Sequence, residues 1–352
     1  MRTLRWLFGT VLPFMFLAML LTGCRKNQLD NCDLQTPLFS FSSFPIGVAV
    51  DDLLLQNDSM YQHICVTQFN RASPENLFKP AYIQPEENLF NWIESDRFVE
   101  FLQSKQMRIH GHTLVWHQQN PAWMDQFQGD RTAWERMLRN HIYQIVGRYR
   151  SSILSWDVVN EAFMEDGSLR QNIWLQHIGP TYIEKAFRWA HEANPEAKLF
   201  YNDYGMETNP TKRNAVIQFF SNLRLKGVPI DGLGLQMHVD IHFTDMIMIE
   251  KAIQEVAAHH FLLHLSEVDI SLNPLGKDYT LNNKDLKDQA DMMYRICKSY
   301  KSIQPNLQFG ITFWGISDQH SWIRSYFNRL DYPLLFDENY VPKPIYCQLK
   351  KI

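Results

Sequence analysis

Two glutamates, Glu161 and Glu267, have side chains that could act together as an acid and a nucleophile. Each ends an apolar run, SILSWDVVNE (152–161) in the first case and FLLHLSE (261–267) in the second. Hydrolysis of a glycosidic bond needs such a pair, because one carboxylic acid protonates the departing oxygen while the other carboxylate meets the positive charge that develops on the sugar. Taken alone, either glutamate could instead be a helix N-terminal carboxylate stabilised by the helix dipole.

The elements that must position these glutamates alternate along the chain between strand-like and helix-like runs. Amphipathic stretches with apolar residues three and four apart separate the predicted strands. Eight strands joined by helices favour an α/β protein with a parallel sheet, and we expect a (β/α)8 TIM barrel rather than an open sheet. The first strand also lacks the GxGxxG loop that many open sheets carry. The predicted strands are 45–50, 63–69, 107–116, 153–159, 197–203, 230–237, 261–268 and 307–314, and the clearest helices are 130–150, 182–193, 211–227 and 284–303.

A barrel would bring the ends of these strands together, because the chemistry of this fold takes place at the carboxyl ends of its strands. Seven of the eight predicted strands end in or beside charged, amide or large aromatic residues. We therefore expect a single lined cleft that contains both glutamates. Its other polar residues would include Asn160, Asn202, Asp203, Gln236, His238, Asp269 and Trp314.

At these positions the sequence resembles glycoside hydrolase family 10, whose members are mostly endo-β-1,4-xylanases. WDVVNEAF (156–163) is similar to the acid/base motif of the family, and HLSEVDI (264–270) is similar to its nucleophile motif. The resemblance runs from about Phe44 to the C-terminus and implies hydrolysis of internal β-1,4-xylosidic bonds of xylan, with no metal and no cofactor. It also covers FNRASPENLFK (69–79), GHTLVWH (111–117), YNDY (201–204), GLQMH (234–238) and WGISDQHSW (314–322).

The resemblance implies a role for each matching residue. Glu161 is expected to be the general acid and then the base, and Glu267 the nucleophile of a retaining double displacement, with the two carboxylates about 5–5.5 Å apart. His238 and Asp269 are expected to hold the orientation and the charge of Glu267. The substrate-binding residues implied in the same way are Glu75, Asn76, Lys79, His112, Trp116, Asn160, Gln236, His238, Trp314 and Trp322.

Three positions depart from the family pattern. Gly205 stands where Asn is common, Pro80 where Trp is common, and Met237 where a small polar residue is common. None of them removes a carboxylate of the expected pair. They leave the preferred length and decoration of the xylan chain open.

The N-terminus has the pattern of a targeting segment. Arg2 and Arg5 flank the start of a sixteen-residue apolar run, which is shorter than the roughly 20 residues of a membrane span. The run ends in LTGC (21–24), which resembles the lipobox of bacterial lipoproteins, although an ordinary signal peptide with an incidental cysteine is the alternative. The resemblance implies a signal peptide at 1–23 and lipidation of Cys24. We expect a polar tether at 24–40 and one catalytic domain at 41–352. The expected location is the cell envelope, at the outer membrane because Arg25 rather than Asp follows the cysteine.

Composition restricts the partners and the cysteine chemistry. A net charge of −4 argues against nucleic acid, and we expect a monomer. Ten Trp residues suit sugar-binding platforms or a Trp-rich core equally well. Cys65 is predicted as a core residue on a strand. The wide spacing of Cys32, Cys65, Cys297 and Cys347 indicates neither a zinc site nor a disulfide framework.

Three other functions are compatible with parts of the sequence. A metal-dependent barrel hydrolase could use His110, His112, His117 and His238, but the last strand offers no further ligand. A non-catalytic glycan-binding lipoprotein would keep the tryptophans without needing the acids. A β-1,4-glucanase would share the mechanism and differ in the walls around the sugar, because glucose carries a hydroxymethyl group that xylose lacks.

Overall fold

The computed structural model describes residues 32–352, so the predicted signal peptide and Cys24 lie outside the described residues. Within this range nine strands form one parallel sheet that thirteen helices surround. The strands are β1 (Ile46–Val50), β2 (Arg71–Pro74), β3 (Arg108–Gly111), β4 (Ile153–Asn160), β5 (Lys198–Asp203), β6 (Gly232–Leu235), β7 (His238–Asp240), β8 (Leu262–Ser271) and β9 (Gln308–Phe313).

The helices vary greatly in length, and the longest cover the outside of the sheet. They are α1 (Asp52–Asn57), α2 (Ser59–Gln68), α3 (Pro80–Ile83), α4 (Trp92–Ser104), α5 (Ala122–Asp125), α6 (Arg131–Arg148), α7 (Ile173–Ile178), α8 (Tyr182–Ala193), α9 (Pro210–Leu225), α10 (Met246–Ala258), α11 (Asn283–Ser302), α12 (Trp322–Tyr326) and α13 (Pro344–Leu349). Short 3-10 turns occupy Leu38–Phe41, Pro305–Leu307 and Asp318–His320. Among the described residues, no helix is both long and apolar enough to cross a membrane.

The sheet closes on itself. Strand β1 pairs in parallel with β2 on one side and with β9 on the other, and β6 and β7 both pair with β8. These two short strands therefore act as a single barrel strand, interrupted at Gln236 and Met237. The barrel has eight such positions around its circumference, which confirms the predicted (β/α)8 architecture.

The second predicted strand, 63–69, is wrong. This stretch belongs to helix α2, and the true strand β2 follows it at Arg71–Pro74. Asp58 begins the helix, because its carboxylate accepts hydrogen bonds from the backbone amides of Met60 and Tyr61. Periodicity over so short an apolar run does not separate a strand from a buried helix. Cys65 is nevertheless a fully buried core residue, as predicted.

Glycines inside the barrel make room for large or functional side chains. A Cβ atom on Gly111 would lie 2.1 Å from the ring of Trp156. One on Gly234 would lie 2.2 Å from Oδ1 of Asn202. Glycine at 234 therefore lets the Asn202 side chain cross towards the centre of the barrel mouth.

The N-terminal part of the described chain is attached to the barrel rather than free of it. Cys32 forms a disulfide with Cys347 of α13, across a separation of 315 residues. The cysteine spacing did not indicate a disulfide framework, and this bridge corrects that interpretation, because spacing along the chain carries no information on so distant a pairing. Leu38 is buried, and the Gln68 side chain hydrogen-bonds the backbone of both Leu34 and Leu38. The described part of the predicted tether thus packs against the domain.

Candidate active site

Glu161 follows β4 in a left-handed backbone conformation, with φ of +56°. Such a conformation costs a non-glycine residue about 1–3 kcal/mol and persists only where its surroundings hold it. The Glu161 amide donates to the carbonyl of Asn202 on β5, at 2.9 Å. Its carboxylate accepts from Nε1 of Trp116 at 2.8 Å and from the side-chain amide of Gln236 at 3.0 Å. The side chain is thus fixed at the barrel mouth by neutral donors.

Glu267 lies within β8, and only 5% of its surface is exposed. Its backbone amide donates to the carbonyl of Gln236, at 3.0 Å. One carboxylate oxygen accepts from Nδ2 of Asn202 at 2.6 Å, and the other lies 3.2 Å from Nε2 of His238. Each oxygen therefore has its own partner.

Asn202 connects the surroundings of the two glutamates. Its Nδ2 group also donates to Oδ1 of Asn160 at 3.0 Å, and Asn160 in turn donates to Glu161 at 3.2 Å. Ser266 holds the other end of the Asn202 amide, because its hydroxyl donates to Oδ1 at 2.5 Å. A continuous hydrogen-bonded path runs from Glu161 to Glu267 and places both in one cleft.

His238 lies between two carboxylates. Its Nδ1 is 2.9 Å from Asp269, which also accepts from Nε1 of Trp322 at 2.7 Å. Burial on its own would lower the pKa of His238, but Asp269 and Glu267 outweigh this effect and raise the pKa well above its usual range. The ring is therefore an imidazolium that donates from both nitrogens, one to Asp269 and the other to Glu267.

The residues that follow β2 add charge to the same cleft. Lys79 is buried, donates to Oδ1 of Asn76 at 2.9 Å, and lies 5.2 Å from the ring centroid of Trp116. Burial lowers the pKa of Lys79, and the nearby Glu267, Glu75 and Glu161 oppose that shift. Burial also raises the pKa of Glu75 to about 7, although Lys79 acts in the opposite direction. The lysine thus lies among three carboxyl groups.

His112 enters the cleft from the end of β3. Its Nδ1 lies 2.9 Å from Asp157 and 4.0 Å from Glu267. His110 lies on the far side of Asp157, at 3.1 Å. Burial would raise the pKa of Asp157, but His110 and His112 outweigh it and lower the pKa below its ordinary value. The HxH pair is therefore organised around this carboxylate, and no cluster of three metal-ligating side chains occurs within residues 32–352.

Three indole rings stand around the carboxyl groups. Trp116 hydrogen-bonds Glu161, the Trp314 ring lies 5.2 Å from His112, and the Trp322 ring lies 5.0 Å from His238. The last two meet the imidazoles edge to face. Such rings offer flat apolar surfaces that suit the apolar face of a pyranose. The structure thus places Trp116, Trp314 and Trp322 beside the carboxyl groups and imidazoles of the predicted site.

Arg170, in the loop between β4 and α7, was missed by sequence reasoning. Its Nε donates to the backbone carbonyl of Glu161 at 2.9 Å, and its Nη2 donates to the carbonyl of Phe163 at 3.1 Å. A third bond reaches the hydroxyl of Tyr204, at 2.8 Å. No motif or periodicity marks an arginine in a loop, so only its position reveals that it clamps the turn carrying Glu161.

A buried ion pair supports the end of β5. Asp203 and Lys212 are both fully buried and lie 2.9 Å apart. Burial raises the pKa of Asp203 to about 7, Lys212 acts to lower it, and Glu161 acts to raise it further. The sequence predicts that Asp203 lines the cleft, whereas the structure buries it fully beside Lys212. Its partner comes from the face of α9, where a lysine is usually solvated.

The three departures from the family pattern lie between two strands, in a loop and at the start of a helix. Met237 is buried with φ of +64°, at the interruption between β6 and β7, and Gly205 has φ of +74°. The Gly205 amide donates to Glu207 at 3.0 Å. Pro80 is the first residue of α3, a position that needs no amide donor.

Comparison with known proteins gives a family match over most of the chain. The family described as glycosyl hydrolase family 10 matches residues 38–352. The chain is 36% identical to endo-1,4-beta-xylanase B of Thermotoga neapolitana, covering 85% of this chain and 84% of that protein. It is 37% identical to an endo-1,4-beta-xylanase of Geobacillus stearothermophilus, over 88% of this chain and 96% of the relative.

Solved structures show the same likeness. Xylanase 10B from Thermotoga petrophila RKU-1, in complex with xylobiose, superposes with a TM-score of 0.85 at 34% identity, covering 90% of this chain and 96% of that one. Some curated relatives are much longer proteins. The chain matches an exoglucanase of Acetivibrio thermocellus at 36% identity but spans only 28% of its length.

Proposed function

Because this chain belongs to glycosyl hydrolase family 10, we propose that it is an endo-1,4-β-xylanase that cleaves internal bonds of xylan with retention of configuration. The observation that carries the proposal is the hydrogen-bonded path that joins Glu161 to Glu267 through Asn160 and Asn202. Two carboxyl groups in one cleft, in different electrostatic surroundings, are what this hydrolysis requires.

In the first half of the reaction, the carboxylate of Glu267 attacks the anomeric carbon while the glycosidic bond breaks. Glu161 donates its proton to the departing oxygen, so the leaving sugar departs as a neutral alcohol. The product on the protein is a glycosyl ester of Glu267. The nearby imidazolium of His238 stabilises the carboxylate before the attack, and the Asn202 amide orients it.

In the second half, Glu161 is ionised and acts as a base. It takes a proton from a water molecule, whose oxygen attacks the anomeric carbon and releases Glu267 as a carboxylate. Two inversions give net retention. Asn160 donates to Glu161 and would also hold the 2-hydroxyl of the sugar, a contact that strengthens in the transition state.

A xylan digest followed by proton NMR tests this mechanism. Retention predicts that the β-anomer of the new reducing end appears first and that the α-anomer grows only by mutarotation. Early release of the α-anomer would instead establish inversion. The sizes of the products show whether internal bonds are cleaved, because an endo enzyme first releases oligosaccharides of mixed length.

A β-1,4-glucanase is the second candidate, since one relative is named an exoglucanase. Discrimination would take place where Trp314 and Trp322 approach the sugar, because a hydroxymethyl group needs space that xylose does not. A panel of plain, arabinosyl and glucuronosyl xylans with mixed-linkage glucan and cellulose separates the two activities. Faster turnover of cellulose or glucan than of xylan would favour the glucanase.

We also propose that the protein is a monomeric lipoprotein of the cell envelope, anchored at Cys24. The LTGC sequence at the end of the apolar run supports this proposal. In a bacterial host, labelled palmitate should enter the wild-type chain, and Cys24→Ser should abolish both the label and the membrane association. Equal membrane association of the two chains would contradict the anchor.

A further inference from the structure

A surface pocket of about 320 Å³ is lined by residues that follow β2 and β3 along the chain. It is formed by the segment after α3, by the short helix α5 and by the start of α6. None of its lining residues belongs to the cleft. Ligand pockets in proteins begin at about 300 Å³, so this one suits one or two sugar rings rather than a nucleotide-sized cofactor.

An indole ring with a fixed orientation forms part of the pocket. Nε1 of Trp123 donates to the backbone carbonyl of Gln84, at 2.9 Å. The ring remains partly exposed and lies on the lining together with Phe127. A partly exposed aromatic surface that is already immobilised binds the apolar face of a sugar at little entropic cost.

A buried side-chain amide also lines the pocket. Gln84 is only 2% exposed, and its Oε1 lies 2.6 Å from Nδ1 of His141. Nε2 of the same ring lies 3.1 Å from the carbonyl of Leu114. Contacts within the protein therefore hold this part of the pocket lining in place.

The rim of the pocket carries polar groups that are not used elsewhere. Within the described range, the guanidinium of Arg136 and the carboxylate of Glu87 make no ion pair or hydrogen bond, and both residues are exposed. Asn140 adds an amide whose only bond is a long one of 3.4 Å to Gln144. One positive and one negative group, with amides between them, favour a neutral ligand rich in hydroxyl groups over an anion.

We propose that this pocket is a second xylan-binding site, which takes one or two xylosyl units of the polysaccharide outside the cleft. The identity of the ligand rests on the proposed function, while the hydroxyl-rich chemistry rests on the pocket itself. Two sites on one long substrate raise the effective concentration of the chain at the cleft. The pocket would thus prolong residence on insoluble xylan.

Indole NMR of a Glu267→Gln variant tests the proposal without turnover. Labelling tryptophan with ¹⁵N gives one indole signal per ring, so Trp123 reports the pocket and Trp322 reports the cleft. Xylotriose should shift both signals with different dissociation constants. Adding Arg136→Ala should raise the dissociation constant measured from the Trp123 signal by about tenfold, because a hydrogen bond to a charged group is lost. The dissociation constant measured from the Trp322 signal should stay unchanged.

The matched control is Arg139→Ala, an exposed arginine one turn along α6 that bonds Tyr143 instead of lining the pocket. It should leave the Trp123 constant unaltered, and maltotriose should shift Trp123 little. The proposal is overturned if the Trp123 signal does not move at xylotriose concentrations that saturate the cleft, as reported by Trp322. The pocket is also overturned if Trp123 and Trp322 report the same dissociation constant and Arg136→Ala does not change it. The proposed function is tested separately, by xylan hydrolysis with the wild-type protein, and a lack of hydrolysis would refute it.

Discussion

At the scale of the residue, Glu161 and Glu267 differ in the charge of their neighbours. The Glu161 carboxylate accepts from an indole and from side-chain amides, all of them neutral. Glu267 faces the imidazolium of His238. The two carboxyl groups therefore have different hydrogen-bonding partners, as the separate roles of acid and nucleophile require.

The first prediction concerns the nucleophile. Glu267→Ala should lower kcat on xylan by about 10⁴-fold or more, because no other carboxylate can form the glycosyl ester. Circular dichroism should show an intact fold. Adding azide should restore part of the turnover of an aryl xylobioside with an α-configured product. Activity close to wild type would contradict the assignment.

A second prediction separates the acid from the nucleophile. Glu161→Ala should lower turnover of xylan by about 10²–10⁴-fold, the usual worth of a general acid. The first step on a dinitrophenyl xylobioside should be nearly unaffected, because that leaving group needs no proton. Stopped-flow measurement of the burst checks this. Equal losses of the burst and of xylan turnover would count against the acid role.

A third prediction follows from the pKa of Glu75, which burial raises from 4.5 to about 7. The folded protein therefore holds a proton at Glu75 more strongly than the unfolded chain does. This contribution to stability is complete below pH 4.5 and is lost as the pH rises through about 7. Glu75→Gln should flatten the pH dependence of the urea midpoint across that window. Glu196→Gln, at an exposed position, should leave the curve unchanged, and a curve unaltered by Glu75→Gln would refute the argument.

At the scale of the element, the turn after β4 decides where the acid points. Glu161 has a left-handed backbone, and three groups hold it there: the Asn202 carbonyl, the Gln236 amide and the Arg170 guanidinium. The neighbouring strand β5 and the segment between β6 and β7 therefore determine the position of a residue that follows β4. Glu161 lies just beyond the end of β4, where these contacts from other segments, rather than the strand pairing, fix its conformation.

The fourth prediction concerns this turn. Arg170→Leu removes two hydrogen bonds to backbone carbonyls, at Glu161 and Phe163, while leaving both catalytic side chains present. We expect kcat on xylan to fall by about 10²-fold with a smaller change in KM, because misplacing a catalytic group by about 1 Å has this effect. Arg188→Leu, which removes a surface ion pair on α8, serves as the control. Equal kinetics of the two variants would show that the clamp has no role.

At the scale of the whole molecule, strand pairing closes the barrel, and a disulfide joins the first and last segments of the described range. β1 joins β9 through parallel pairing, and Cys32 joins Cys347. The disulfide links the segment before β1 to α13, the last helix of the described chain. Cross-linking residues so far apart restricts the unfolded chain strongly.

The fifth prediction tests that link. Replacing Cys32 and Cys347 together by serine should lower the free energy of unfolding by about 2–5 kcal/mol. Guanidinium titration checks the change in midpoint. Dithiothreitol should lower the midpoint of the wild type to that of the double variant and leave the variant unchanged. A reductant effect of equal size in both proteins would exclude this disulfide as the cause.

Much of the site could be predicted because its residues lie in short local motifs. The barrel followed from the alternation of strands and helices, and Glu161 and Glu267 from their positions at strand ends. The local signal failed at 63–69, where an apolar run fits a strand and a helix equally well, and tertiary packing against the core selected α2. Local sequence patterns also missed Arg170 and Lys212. Their roles depend on contacts with distant groups, the Glu161 carbonyl for Arg170 and the Asp203 carboxylate for Lys212.

The sequence by itself determined the architecture, the chemistry and the residue types of the cleft, because periodicity and motif are properties of neighbouring residues. Tertiary structure alone decided the contacts between distant ones. It placed Asn202 between Glu161 and Glu267, put His238 beside Asp269, paired Cys32 with Cys347, and assembled the pocket beside Trp123. Each of these depends on distances across the barrel, which no spacing along the chain encodes.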